Sequence, residues 1–170
     1  MNRNYNALIL KSVKITAGAI LAILFASCLN LKYSATAGII TILSIQNTKK
    51  ETIQTALARG EAFCCALLVS FLCYNFFDYT TAAFGIYLLV FTTLCLAMKW
   101  SSAIAMDSVL ITHFLAEKTM NIPMIANEIS LFLIGAGIGV LLNLSLRPKE
   151  NEWKDKIAKS CRCIAEKIIT

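Results

Sequence analysis

Proline is almost missing from this chain, with two in 170 residues. That excludes collagen-like or polyproline structure and leaves long helices few places to break. Glycine is also scarce, at seven residues, too few for a low-complexity chain. Histidine occurs once, as His113, so no metal site can be built from several imidazoles. Charged residues make up 15% of the chain against 58% hydrophobic ones, where an average soluble domain carries roughly 25% charged residues. A water-soluble globular fold is thereby excluded, and a chain this apolar cannot stay disordered in water. The phosphate-loop pattern G-x-x-x-x-G-K-[ST], the nucleophile elbow G-x-S-x-G and the zinc pattern H-E-x-x-H are all missing. ATP hydrolysis and the common hydrolase mechanisms therefore have no support, and neither enzymatic activity nor a cofactor is expected. Acidic residues number 10 against 16 basic ones, a net charge of +6. The cations lie between the apolar runs, so the expected partner is a lipid bilayer and not nucleic acid.

The apolar runs are Ile15 to Leu31, Tyr33 to Ile45, Ala62 to Phe77, Tyr79 to Met98, Trp100 to Ala116, and Ile129 to Leu146. At 1.5 Å per residue a helix needs about 20 residues to cross roughly 30 Å of hydrocarbon. The fourth and sixth runs come close to that alone. The second covers only about 20 Å and spans only if the helix takes in Gln46 and Asn47; otherwise it is re-entrant. Short loops rich in Lys and Arg stay cytoplasmic. Six spans with both termini inside put Arg3, Lys11, Lys14, Lys49, Lys50, Arg59, Lys99 and the cations from Arg147 onward on that side, leaving Lys32 and Lys118 outside. The expected fold is all-α: a polytopic six-transmembrane-helix bundle over residues 1–148, in the cell membrane, followed by a cytoplasmic amphipathic helix over 149–170. In that tail Trp153, Ile157, Cys161, Ile164 and Ile168 form one apolar stripe, suited to the inner leaflet or to a second copy. Phe25-Ala26-Ser27-Cys28 loosely imitates a lipoprotein cleavage site, but more membrane helix follows it, and the first segment is expected to be retained.

Local signals refine the bundle. Thr48-Lys49-Lys50-Glu51 has capping-box form, so one long helix should start there and run through the third span. Ile53, Ala56, Leu57 and Gly60 are expected to pack along the inner rim. Asp78 is expected to cap the fourth helix, and Asn121-Ile122-Pro123 to separate the fifth from the sixth. Cys28, Cys64, Cys65, Cys73 and Cys95 lie within apolar segments as small hydrophobes. Cys161 and Cys163 lack the second ligand pair a zinc site needs, and no metal is expected.

Few residues can carry chemistry. Gly135 and Gly139 form a G-x-x-x-G stripe continued by Asn143, which points to close helix packing, with a pore-lining role open for Asn143. Asp107 and His113 are ionisable groups inside a span, costly there, and each is either a proton carrier or a structurally satisfied group. They sit about 120° apart around the helix, so they do not pair with each other. Gln46, Asn47, Lys49 and Lys50 end one helix and begin the next, with Arg59 about three turns further along it, and together they form an expected inner mouth that attracts anions; the competing reading is topology alone.

The run Leu43-Ser44-Ile45-Gln46-Asn47-Thr48-Lys49-Lys50-Glu51-Thr52, followed by Ala56-Leu57-Ala58-Arg59, resembles the signature of the bacterial aromatic acid exporter family. The likeness runs from about Lys11 to Pro148 and includes Thr112-His113-Phe114 and the closing Leu146-Arg147-Pro148. The family commonly has Pro where this chain has Asn47, and often more Gly where it has Cys64, Cys65 and Ala66. Many relatives continue into a cytoplasmic helical domain. The resemblance implies export or conduction of organic, often aromatic, carboxylates by subunits that assemble as homodimers or higher homo-oligomers. The stripe and the tail helix are the expected contacts. A passive anion channel and a non-transporting membrane scaffold are the alternatives.

Overall fold

Each apolar run becomes one helix: α1 (Asn2–Cys28), α2 (Ala35–Leu43), α3 (Lys49–Phe77), α4 (Thr81–Ala97), α5 (Ile104–Glu117) and α6 (Ile122–Ser145). This is a computed structural model that describes the backbone of residues 2–45 and 49–145; side chains are described at residue 9 and from 11 to 45 and 52 to 143. The amphipathic tail expected over 149–170 lies outside the described residues.

Three helices are long and apolar enough to cross a membrane, over Lys11–Cys28, Thr52–Phe77 and Ile122–Asn143. The stretch Thr81–Ala97 is a shorter apolar helix. The expectation of six full spans is therefore met by length in only half of the elements. Helix α2, at nine residues, covers about 14 Å. It stops at Leu43 with Ser44 as its cap, so the described helix does not extend toward Gln46. Helix α3 does run unbroken for 29 residues, as the capping-box spacing suggested.

The described connections are short, and α1 with α2, α3 with α4, and α4 with α5 pack against each other in sequence. Four connections use left-handed residues: Asn30 and Tyr33, Asp78, Lys99 and Lys118 all have positive φ, and no glycine does. The seven glycines all lie inside helices, and Gly18, Gly38, Gly135 and Gly139 sit at close helix contacts. Asp78 is a turn residue, and the cap of α4 is Thr80, whose hydroxyl accepts the Ala83 N–H at 3.1 Å. At the start of α6, Asn121 Oδ1 accepts the Met124 N–H at 2.9 Å, with Pro123 in the first turn, where its missing N–H costs nothing.

Two clusters make the core. One joins α3, α4 and α5 through Ala62, Ala66, Tyr74, Tyr87, Phe91 and Phe114. The other joins α1, α2 and α6 through Ala22, Ala26, Ala37, Ile40 and Phe132, with Phe63, Met106 and Leu110 reaching in from α3 and α5. Small residues let the second group approach closely. A Cβ built on Gly135 would lie 2.7 Å from the Ala37 carbonyl oxygen, and one on Gly139 3.0 Å from that of Thr41. The G-x-x-x-G stripe thus packs closely against α2 of the same chain. The outer surface is broadly apolar, with Leu68, Phe76, Leu89 and Leu141 each more than 60% exposed, a surface that water tolerates poorly and lipid accepts.

Candidate functional site

Polar side chains buried in this bundle fall into three groups along its length. At one end α2, α3 and α6 converge. Asn143 Nδ2 donates to Thr52 Oγ1, which ties α6 to α3. Arg59 is 5% exposed, and its Nη1 donates to Ser44 Oγ at 3.4 Å. Ser44 Oγ in turn donates to the Ile40 carbonyl at 2.7 Å, while Thr41 Oγ1 reaches the carbonyl of Gly135 at 3.1 Å.

The middle group belongs to α3, α4 and α5. Asp107 is fully buried, and neither carboxylate oxygen has a hydrogen-bond partner among the described residues. Arg59 acts on it through space. The Arg59 Nε, the Tyr87 hydroxyl and the Ser108 hydroxyl are likewise buried without partners among the described residues. A buried polar atom left in this state costs about 1–3 kcal/mol, and five such atoms on three adjoining helices mark a place where something polar belongs.

The third group closes the opposite end. His113 Nδ1 meets Glu128 Oε2 at 2.7 Å, both side chains at least nine-tenths buried. His113 Nε2 faces Thr36 Oγ1 at 3.3 Å, and the Tyr33 ring stacks on the imidazole at 4.0 Å between centroids. Asn127 Nδ2 donates to Glu128 Oε1 at 3.0 Å and to the Lys32 carbonyl at 3.2 Å, while its Oδ1 accepts the Lys32 N–H at 2.8 Å. Lys32 Nζ and the Tyr33 hydroxyl both donate to Glu117, at 2.9 and 3.2 Å. The turn between α1 and α2 is strapped across α5 and α6. Tyr33 holds φ at 58°, a conformation that costs a bulky residue of order 1–3 kcal/mol, and the stack and hydrogen bond hold it there.

The exposed Lys32–Glu117 pair gives a pH signature. Its hydrogen bond to Lys32 holds the Glu117 carboxyl below the ordinary 4.5, and the same bond holds the Lys32 ammonium above the ordinary 10.5. A lowered carboxyl contributes above its ordinary value and loses that contribution as pH falls. A raised ammonium contributes below its ordinary value and loses it as pH rises. Protection of the 29–34 turn in hydrogen exchange is therefore expected to be level between pH 4.5 and 10.5 and to fall outside that window; Lys32→Ala should lower the plateau.

The expected site residues are not brought together in one place. Gln46 and Asn47 lie outside the described residues, and Lys49 and Lys50 are described only as backbone in the first turn of α3. Arg59 is buried against Ser44 instead of standing at an open rim with the lysines. Asn143 is occupied by Thr52. Asp107 and His113 do not pair with each other, as the helix angle required. Glu128 and Tyr87 were not anticipated. Glu128 precedes the last apolar run, yet the helix begins at Ile122, which places Glu128 about 9 Å into it.

Residues 7–146 match the family described as Aromatic acid exporter family member 1. The chain belongs to this aromatic acid exporter family. The chain is 34% identical over 161 residues to YqjA of Bacillus subtilis (strain 168), a protein described as uncharacterized; the match covers 93% of this chain and 50% of that one. The chain thus spans about half the length of the curated relative it matches. No solved structure matches it. Membership in an exporter family, together with three helices among the described residues that are long and apolar enough to cross a bilayer, points to a membrane protein.

Proposed function

We propose that this exporter carries organic carboxylate anions, aromatic ones among them, out of the cell, as a six-span protein of the plasma membrane with both termini in the cytoplasm. Three long helices cross the hydrocarbon, and α2, α4 and α5 lie between them with locally short reach, which a bilayer accommodates by thinning or by burying the ends in protein. The cytoplasmic face then carries Gln46, Asn47, Lys49 and Lys50 around the entrance, with Asn143 and Arg59 further in. Lysines at the rim raise the local anion concentration through a field that salt screens. The observation that carries this reading is Arg59, a buried guanidinium with an unpartnered N–H at Nε among the described residues, within the helix that those lysines begin. Asp107 or His113 is the proton-binding group if transport is proton-coupled. One subunit offers few inward faces, so a homo-oligomer completes the pathway, with the tail helix as its contact.

The test is flux of 4-hydroxybenzoate from proteoliposomes holding the purified chain. A charged hydrogen bond is worth about 1.5–3 kcal/mol, so Arg59→Gln should slow flux by about 10- to 100-fold. Neutralising Lys49 and Lys50 should cost less, and that cost should shrink as salt rises. Undiminished flux in Arg59→Gln would remove Arg59 from the pathway, and absence of carboxylate flux would remove the export reading.

A further inference from the structure

We propose that Arg59 and Asp107 form one charge-balanced site that takes up an organic carboxylate and a proton together, with the Tyr87 and Ser108 hydroxyls donating to the incoming carboxylate. The proposal rests on the export reading above and adds the sign of its coupling.

Asp107 is fully buried and Arg59 nearly so. They face each other electrostatically, but Arg59 supplies no hydrogen bond to either Asp107 oxygen. A contact ion pair would have used up both groups; this arrangement leaves each free to take a different partner. Donors stand around them without a partner in full hydrogen-bond geometry: the N–H at Arg59 Nε, and the hydroxyls of Tyr87 on α4 and Ser108 on α5, which lie against each other and can turn together toward a ligand. An arriving carboxylate has two oxygens able to accept them. Asp107 has both of its oxygens unused and can take a proton.

Net charge decides which of these events occur together. With Asp107 ionised, the site holds Arg59 and Asp107 and sums to zero. A carboxylate entering alone would leave one uncompensated negative charge inside the bundle, which costs several kcal/mol in such surroundings. A proton entering alone would leave Arg59 uncompensated. When both enter, the Asp107 carboxylate becomes a neutral carboxyl, the ligand replaces its charge opposite Arg59, and the sum stays at zero. Other titratable groups facing Asp107 are Tyr87 and Cys95 on α4, with Cys65 of α3 beyond Cys95. His113 and Glu128 belong to the separate pair about 9 Å further along α5. The proton therefore moves in the same direction as the anion. Export then runs down the substrate's own gradient as an electrically neutral acid and is not driven by proton entry.

Calorimetric titration of the full chain in lipid nanodiscs with 4-hydroxybenzoate, in two buffers of different ionisation enthalpy, measures protons taken up per anion bound. On the alkaline side, where Asp107 is ionised in the free protein, the expected result is close to one proton, with affinity weakening about tenfold for each unit of rising pH. Asp107→Asn should take up none, should bind with an affinity independent of pH, and should bind more tightly than the wild type on the alkaline side of neutrality. Tyr87→Phe should weaken binding while keeping the proton uptake. Binding without uptake in the wild type, or uptake that persists in Asp107→Asn, would overturn the coupling and leave the export reading standing. Absence of both binding and flux at every pH would overturn the two together.

Discussion

Leucine in place of Gly139 is expected to stop α2 from seating on α6 and to lower the thermal unfolding midpoint in detergent by about 6–12 °C. A Cβ at that position would stand 2.5 Å from Ser44 Cβ and 3.0 Å from the Thr41 carbonyl oxygen. These neighbours are backbone or attached directly to it, so they cannot rotate aside, and the two helices must separate. Separation also breaks the bond from Thr41 Oγ1 to the Gly135 carbonyl and displaces Ser44 from Arg59. Overpacking of a tight seam costs about 3 kcal/mol or more, which for a chain of this size corresponds to the stated drop. Gly137 is the internal control. It lies on the same helix, two residues away, with nothing within 4 Å of a Cβ, and Gly137→Leu should leave the midpoint unchanged. Equal stability of the two variants would show that α2 does not occupy the stripe.

The same seam explains what hydropathy can and cannot disclose in this chain. The six helices were legible because each apolar run is bounded by charge or turn residues. Which face of each helix points inward was not legible, because lipid is as apolar as the core. Ile53, Ala56, Leu57 and Gly60 read as a packing face on α3, yet Ile53 is 52% and Leu57 66% exposed. The buried line of α3 passes instead through Thr52, Arg59, Ala62, Phe63 and Ala66. Small and polar residues mark the inward face in a membrane, and a reading based on them would have placed Arg59 inside the bundle. Counting cations to fix topology had the opposite effect, since it treated Arg59 as one more loop charge. The groups facing Asp107 come from α3 and α4, and those touching His113 from α2, the turn before it and α6, at separations that no local spacing encodes. Tyr87 reads as an ordinary residue of an apolar segment until the helices are assembled around Asp107.

Removing Glu128 should be the most damaging change at the opposite end. Glu128→Ala leaves His113 facing an apolar gap and frees Asn127 from one of its acceptors. Deleting one partner of a buried hydrogen-bonded pair leaves the other unsatisfied at a cost of about 1–3 kcal/mol, and more where a charge is left behind, whereas replacing both with apolar groups costs far less. Thermal unfolding in detergent should therefore show Glu128→Ala as strongly destabilised, and His113→Ala, Glu128→Ala together as less destabilised than the two single losses summed. Glu128→Gln keeps one acceptor oxygen, for His113 or for Asn127 but not for both, and should fall between them. Because Lys32 and Tyr33 are held by Asn127, Glu117 and the His113 ring, hydrogen exchange should report loosening of residues 29–34 in Glu128→Ala well below its unfolding temperature. Losses that simply add would mean that the 2.7 Å approach of His113 to Glu128 carries no coupling. The turn would then be held by the Lys32–Glu117 pair, and exposed pairs of that kind contribute little.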